Sequence, residues 1–374
     1  MEIVTKIINT TSDFKKLSKQ WIELSDRDKS CSMFTQFDWM FLWWQHYGRD
    51  IGILHIICAY QDSELVAILP LYFRTKDSSL MFLGTGEEQT SETASEYLDI
   101  ICLPEYLDLV SKHFASEIQQ KQSLNVQSFV IRNTLENSKI YSVVRLLKND
   151  FWCNTKLAGL RYQTILPKTP DCFLNQLPKS FRKKMLRLER KLFSQLGGAL
   201  TYADSEESRI SHFKTLIKLH EKRWKNRKQQ GTFNTDLFLN FHQKFSQTML
   251  KKGKLRLTTL MANDLPLAII YAVECDGTIY FYQSGIDDSF SPNVSPGHLI
   301  HFLMIKEAIK SNKYSYDFMK GSVDKSYKAY LSNTKTAMYD VILIKKSLGN
   351  LPQMIKWQLK KLRDVVNGTF VSSK

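Results

Sequence analysis

The sequence predicts a mixed α/β (α+β) fold built in two successive rounds. Three observations predict it. Runs rich in β-branched and aromatic residues, bounded by polar turns, read as strands. Between them lie stretches with apolar residues at helical spacing. The chain has 374 residues, enough for two domains of about 100–200 residues with a core each. The division expected is residues 1–167, residues 168–348 and a tail at 349–374.

Residues 2–8 read as a strand. Thr11-Ser12-Asp13 caps a helix to about Leu24. A second helix, 36–47, carries Phe37, Trp39, Met40, Phe41, Leu42, Trp43 and Trp44. It is apolar nearly all round and is expected between layers, although Trp43 and Trp44 also suit a sugar platform. Residues 51–60 and 65–73 are strands about the turn Gln61-Asp62-Ser63-Glu64, and 80–83 is a third. Gly84-Thr85-Gly86 is a weak phosphate signal in an acidic segment. A strand at 97–102, a helix at 105–120, a strand at 126–131 and a helix at 138–147 complete the first round. Residues 158–170 read as the joint.

The second round opens with a short helix from Asp171. The helix at 179–196 buries Phe181, Met185, Leu188, Leu192 and Leu196. Arg182, Lys183, Lys184, Arg187, Arg190 and Lys191 cover its other face, as a solvated surface, as an anion-binding rim or, third, as a nucleic-acid stripe. Helices follow at 205–228 and 235–251. A meander at 254–261, 266–274 and 278–283 turns at Asn263-Asp264 and Asp276-Gly277. A final strand at 337–345 precedes a basic amphipathic helix, 351–366. Its Met354, Ile355, Leu359, Leu362 and Val366 oppose Lys356, Lys360, Lys361 and Arg363. Such a tail docks on its own domain or lies on an anionic membrane surface.

Charge is divided unevenly. Up to Pro167 there are 17 basic and 20 acidic residues, against 35 and 17 beyond it. The second half therefore favours acidic partners: a nucleotide-bearing donor, a phosphorylated sugar, anionic lipid or nucleic acid. The six cysteines show no metal or disulfide spacing, no run is long enough to span a membrane, and no secretory leader is evident. A reduced, cytoplasmic protein without metal is expected.

The stretch from Thr278 to Tyr330 holds the chemistry. An aromatic strand ends at Ser284-Gly285, an acidic loop follows, and Ser295-Pro296-Gly297 opens a helix. Ser295 suits an N-cap and Pro296 the first helical position. The strand 314–319 then returns parallel to the first. The amides at Pro296–His298 face an anion, and the two strands splay above it.

The order YFYQSGID, SPGHL, YDFMKG and YKAY resembles the GNAT N-acyltransferases of the CelD/BcsL type, distant relatives of the FemAB aminoacyltransferases. FTQFDWMFLWWQHYG, LVAILPLYFR and EYLDI fit the first half of that family, and FRKKMLRLERKLFSQLGG and LIKLHEKRWK the start of its second. The resemblance implies two tandem GNAT-like domains, each a twisted mixed sheet flanked by helices, with the working site in the second. It implies transfer from acyl-CoA or an acyl carrier protein, with no permanently bound cofactor, to an amino or hydroxy sugar or other envelope precursor. Charged tRNA is the donor in the FemAB alternative, and a binding protein without chemistry is another. Gly285, Ser295, Pro296, Gly297 and His298 match the donor-holding positions, although the usual glycine-rich phosphate loop is missing. Asp317 stands as general base or structural carboxylate, Lys328 as the FemAB-type lysine that holds an anionic group, and Tyr327 or Tyr282 as proton donor to the leaving thiolate. His298 and Glu221 are further candidates.

Overall fold

One sheet of thirteen strands runs through the computed structural model, which describes residues 2–120, 124–226, 231–287, 289, 295–324 and 326–366. The first half contains β1 (Val4–Ile8), α1 (Thr11–Lys16), α2 (Ser18–Arg27), α3 (Phe37–Trp43), α4 (Arg49–Ile51), β2 (Gly52–Gln61), β3 (Glu64–Arg74), β4 (Ser79–Phe82), β5 (Ile101–Cys102), α5 (Leu107–Gln120), β6 (Ser128–Leu135), α6 (Ile140–Leu146) and β7 (Phe151–Ile165). The second contains α7 (Pro170–Gln176), α8 (Lys179–Gln195), β8 (Ala199–Tyr202), α9 (Glu206–Asn226), α10 (Asp236–Lys251), β9 (Leu255–Ala262), β10 (Leu265–Cys275), β11 (Thr278–Ile286), α11 (Pro296–Lys310), β12 (Ser315–Gly321), β13 (Thr334–Lys345) and α12 (Leu351–Val366).

The strand order is β1-β2-β3-β4-β6-β13-β7-β12-β11-β10-β9-β8, with β5 beside β3. It reads as the same unit from either edge. In each unit an antiparallel meander leads to a parallel pair: β4 with β6, and β11 with β12. The last strand of each unit crosses over, so β13 lies between β6 and β7, and β7 between β13 and β12.

The joint expected at 158–170 is therefore corrected. Residues up to Ile165 belong to β7, a fifteen-residue strand near the middle of the sheet. Its Asn154, Lys156, Gly159, Arg161 and Gln163 dilute the apolar signal by which a central strand is usually read. The strand expected at 97–102 is likewise reduced to Ile101–Cys102, because Tyr97 has φ +59°, outside the β region. The helix expected from residue 11 to 24 is two helices meeting at Leu17, capped by Thr10 through Asp13 N–H.

The core lies on both sheet faces. α11 is apolar all round and sits between the sheet and α8, which contributes Phe181, Met185, Leu188 and Leu192. On the other face Trp39 of α3 meets Phe241 and Phe245 of α10 edge-on at 4.9 and 4.8 Å, and Tyr282 of β11 at 5.8 Å. Each such aromatic contact contributes about 0.5–1.5 kcal/mol beyond area burial. Trp43 and Trp44 are core residues, their indoles bonded to Glu87 and Thr11, and form no platform. Among the described residues no helix is long and apolar enough to cross a membrane.

Candidate active site

β11 and β12 are joined for three residue pairs only: Thr278 with Ser315, Ile279 with Tyr316, and Tyr280 with Asp317. Beyond them β11 continues along β10 to Ile286, and β12 along β7 to Gly321. Each strand carries an extra residue where they part. Tyr282 is the bulge in β11, since Gln283 and Phe281 face the adjacent Tyr271 and Ala272. In β12 the pairing steps from Asp317 to Lys320 while β7 steps from Gln163 to Arg161, and Met319 takes φ +60°. Such a bulge bends its strand and interrupts the ladder. The expected splay is present.

Asp317 holds the bulge. Its Oδ1 accepts the Met319 N–H at 2.7 Å and the Tyr97 hydroxyl at 3.3 Å. Its Oδ2 receives Nε and Nη2 of Arg161 at 2.7 and 2.6 Å. The residue is fully buried. Both oxygens are engaged by structural donors, which is the arrangement of a positioning carboxylate rather than of a free base. Burial disfavours the Arg161 charge, but Asp317, with Tyr97 and Tyr280, raises its pKa overall.

Lys328 lies at the mouth of the split, on a turn spanning Tyr327–Tyr330. Its ammonium donates to the carbonyls of Phe318 and Lys320, each at 2.5 Å, and stands 5.9 Å over the Phe281 ring. Burial lowers its pKa, opposed by Glu96 and Asp317. Glu96 approaches from the first half, where its Oε2 accepts the Lys320 N–H at 2.9 Å. Burial pushes its carboxyl up to about 7, against the pull of Lys328. No local pattern in the sequence marks Glu96. It opens the EYLDI run, and only the fold brings it 224 residues along the chain to β12.

The helix end departs from expectation. Ser295 has φ +46° and makes no side-chain cap; its carbonyl accepts the His298 and Leu299 N–H groups. Pro296 has no N–H, so of the three amides expected to face an anion the His298 amide is taken within the turn. Gly297 rests on Ile286, whose Cδ1 would lie 2.7 Å from an added Cβ. His298 packs against Phe181, Tyr327 and Tyr330, and burial and Lys184 lower its pKa. Burial pushes the Tyr327 phenol up to about 12, against Arg223. Lys328, Tyr327 and His298 thus come together beside the split.

Gly285 lies on β11 beyond its last pair with β12, and its open side faces α9. An added Cβ there would meet Leu219 Cβ at 2.7 Å and Leu216 O at 2.9 Å, so the glycine lets α9 approach β11. Tyr282 turns its hydroxyl to Thr93 O and His242 Nε2, at 2.7 and 2.9 Å. Glu221 pairs with Lys225 within α9. Residues 288 and 290–294, most of the acidic loop, lie outside the described residues. Among the described residues no group of three or more His, Cys, Asp or Glu side chains is placed to hold a metal.

The family model that matches is the acetyltransferase (GNAT) domain, over residues 179–329, from α8 through Lys328. The crystal structure of FemX is similar at TM-score 0.62 and 11% identity, covering 91% of this chain and 97% of that one. The C-terminal domain of a putative lysylphosphatidylglycerol synthetase from Agrobacterium fabrum gives 0.52 at 9% identity, covering 92% and 96%. The structure of L-PGS from Bacillus licheniformis gives 0.50 at 10% identity, covering 91% and 96%. No curated protein sequence matches the chain. The doubled meander, the parting parallel strands and these likenesses together give the chain a GNAT/FemAB-like fold.

Proposed function

We propose that the protein is an acyltransferase working at the split between β11 and β12. The observation that carries this reading is the parting of those strands after three residue pairs, beside a half-buried lysine and a buried carboxyl. The GNAT domain match over the same residues supports it. In the finer reading, after the CelD/BcsL resemblance, the donor is a thioester, acyl-CoA or acyl carrier protein. The acceptor is an amino or hydroxy sugar of an envelope or exopolysaccharide precursor.

The acceptor nitrogen or oxygen attacks the thioester carbonyl. A C–N or C–O bond forms, the C–S bond breaks, and the thiolate leaves. Glu96, with a pKa of about 7, takes the acceptor proton. Tyr327, protonated at neutral pH, returns one to the thiolate. Two of the three Lys328 N–H groups hold β12, and the third faces the charge developing on the carbonyl oxygen. Arg161 also lines a cleft of about 620 Å³, with Tyr97, Gln163, Tyr280 and Tyr314 among others. Its cations Lys29, Lys139 and Arg161 are paired with Asp276, Asp28 and Asp317. A charge-balanced, hydroxyl-rich lining suits an uncharged sugar.

An aminoacyl-tRNA donor is the second reading. It is favoured by the likeness to FemX and by the basic residues of α8 and α9 nearest the site, Lys184 beside His298 and Arg223 beside Tyr327. A thermal-shift panel of acyl-CoAs, acyl carrier proteins and charged tRNA decides between them, since a bound donor raises the melting temperature by mass action. Binding by tRNA alone, falling steeply with salt, selects the second reading. No stabilisation and no turnover with any donor leaves a binding protein on this fold.

A further inference from the structure

α12 does not hide its apolar face. Leu351, Ile355 and Leu359 are spaced four apart, on one side of the helix, and are 37%, 46% and 61% exposed. Leu348, in the turn just before the helix, is 90% exposed. A tail helix docked on its own domain buries this stripe first. Here the turn is fixed to the body instead: Asn350 Nδ2 donates to Gln127 Oε1 at 3.2 Å and to Lys345 O at 2.9 Å. The helix thus leaves the end of β13 from an anchored start with its leucine and isoleucine side chains in solvent.

The sequence says what covers them. At 100° per residue Leu362 and Val366 continue the stripe begun by Leu351. By the same spacing Lys356 falls on the flank beside it, and the helix carries the cations Lys356, Lys360, Lys361 and Arg363 against one acidic residue, Asp364. A row of aliphatic residues bordered by lysines and arginine matches an interface of hydrocarbon below and anionic headgroups above. An acidic protein groove would meet the cations but offers no reason for a stripe of this length. RNA would meet the cations and leave the leucines wet.

We propose that α12 is an interfacial anchor that lays the protein on an anionic lipid surface. The helix lies in the plane of the headgroups, with Leu348, Leu351, Ile355 and Leu359 in the acyl boundary and Lys356 among the phosphates. One such helix binds reversibly, so the protein partitions between membrane and solution with lipid charge and ionic strength. This rests on the exposed stripe and the cations of the helix, and is independent of the chemistry at the split.

Co-sedimentation of the full chain tests it, with vesicles of phosphatidylcholine alone and with about one third phosphatidylglycerol, an anionic fraction chosen for strong surface attraction. Binding to the anionic vesicles is expected to exceed binding to the neutral ones by about tenfold or more and to fall in high salt. Leu351→Glu/Ile355→Glu/Leu359→Glu abolishes it while the melting temperature stays put, because those side chains touch little of the body. Equal binding to both vesicles overturns the proposal, as does no binding to either. A triple variant that still binds places the attraction on the basic body. One that lowers the melting temperature shows a stripe packed on the protein itself. An acidic polypeptide or RNA that binds the full chain, and loses it with the triple variant while vesicles do not bind, reassigns the helix to that partner.

Discussion

Arg161 of β7 places Nε and Nη2 on one oxygen of Asp317 in β12, at 2.7 and 2.6 Å. The pair ties the last strand of the first half to the strand that parts in the second. The first half repeats the device with different parts. In β6 the extra residue is Asn133, φ +48°, and its N–H is held by Asp340 of β13 at 2.9 Å. Lys320 then reaches Asn133 Oδ1 at 2.7 Å, linking the two bulges.

Removing one partner of this pair leaves an uncompensated buried charge. Arg161→Ala is expected to cost about 3–5 kcal/mol in a denaturant melt. Asp317→Asn in a folded protein should cut turnover more than about tenfold, through a displaced β12 rather than a lost base. Its pH profile should keep the wild-type shape, whereas a shifted profile would return the base role to Asp317.

Lys328 is tested by turnover. Lys328→Ala is expected to lower kcat by more than about tenfold with a smaller change in KM, as for an interaction strongest in the transition state. Wild-type kinetics would remove it from the mechanism.

Glu96 makes two pH predictions. As a base with a pKa of about 7 it should give a rate that rises with pH through neutrality, and Glu96→Gln should flatten that limb. Its folded pKa lies above the ordinary 4.5, so the folded state holds this proton more tightly. The protein therefore loses stability as pH rises from about 4.5 to 7, by roughly 3 kcal/mol at most, and Glu96→Gln should remove that slope from a melting series.

Gly285→Ala separates packing from catalysis. The added methyl meets the backbone of α9, and a cost of about 1–3 kcal/mol is expected. Residual folded enzyme should keep its KM for the donor, and a selective loss of donor affinity would show that Gly285 also holds the donor.

His242 and His301 set the acid limit. Burial pushes each down to about 3 from 6.5. The unfolded chain takes these protons first, so stability falls as pH drops from about 6.5 towards 3. His301→Phe should lessen that fall in an acid titration followed by circular dichroism.

Much of the fold was legible. The meander from residue 254 to 283, the helix opening at Pro296 and the basic helix at 179 announced themselves by period and turn chemistry. β7 did not, since a strand flanked by strands from both halves carries lysine, arginine and glycine and lacks an apolar run. β8, four residues at an edge, was too short for any pattern. At the site, Lys328, Tyr327 and His298 were within reach because they lie within one stretch of chain. Gly285 was legible only in part, since sequence shows that a side chain is missing but not that a helix fills the space.

By itself the sequence determined the two rounds of strands and helices, the basic second half and the amphipathic tail, because these follow from periodicity and charge along the chain. The tertiary structure decided the exchange of β7 and β13, the engagement of Asp317 by Arg161, and the arrival of Glu96 at β12. Each of those depends on backbone partners far apart in sequence. A pairing of that kind is set by which strand edges meet in the folded sheet, and no local pattern of residues records it.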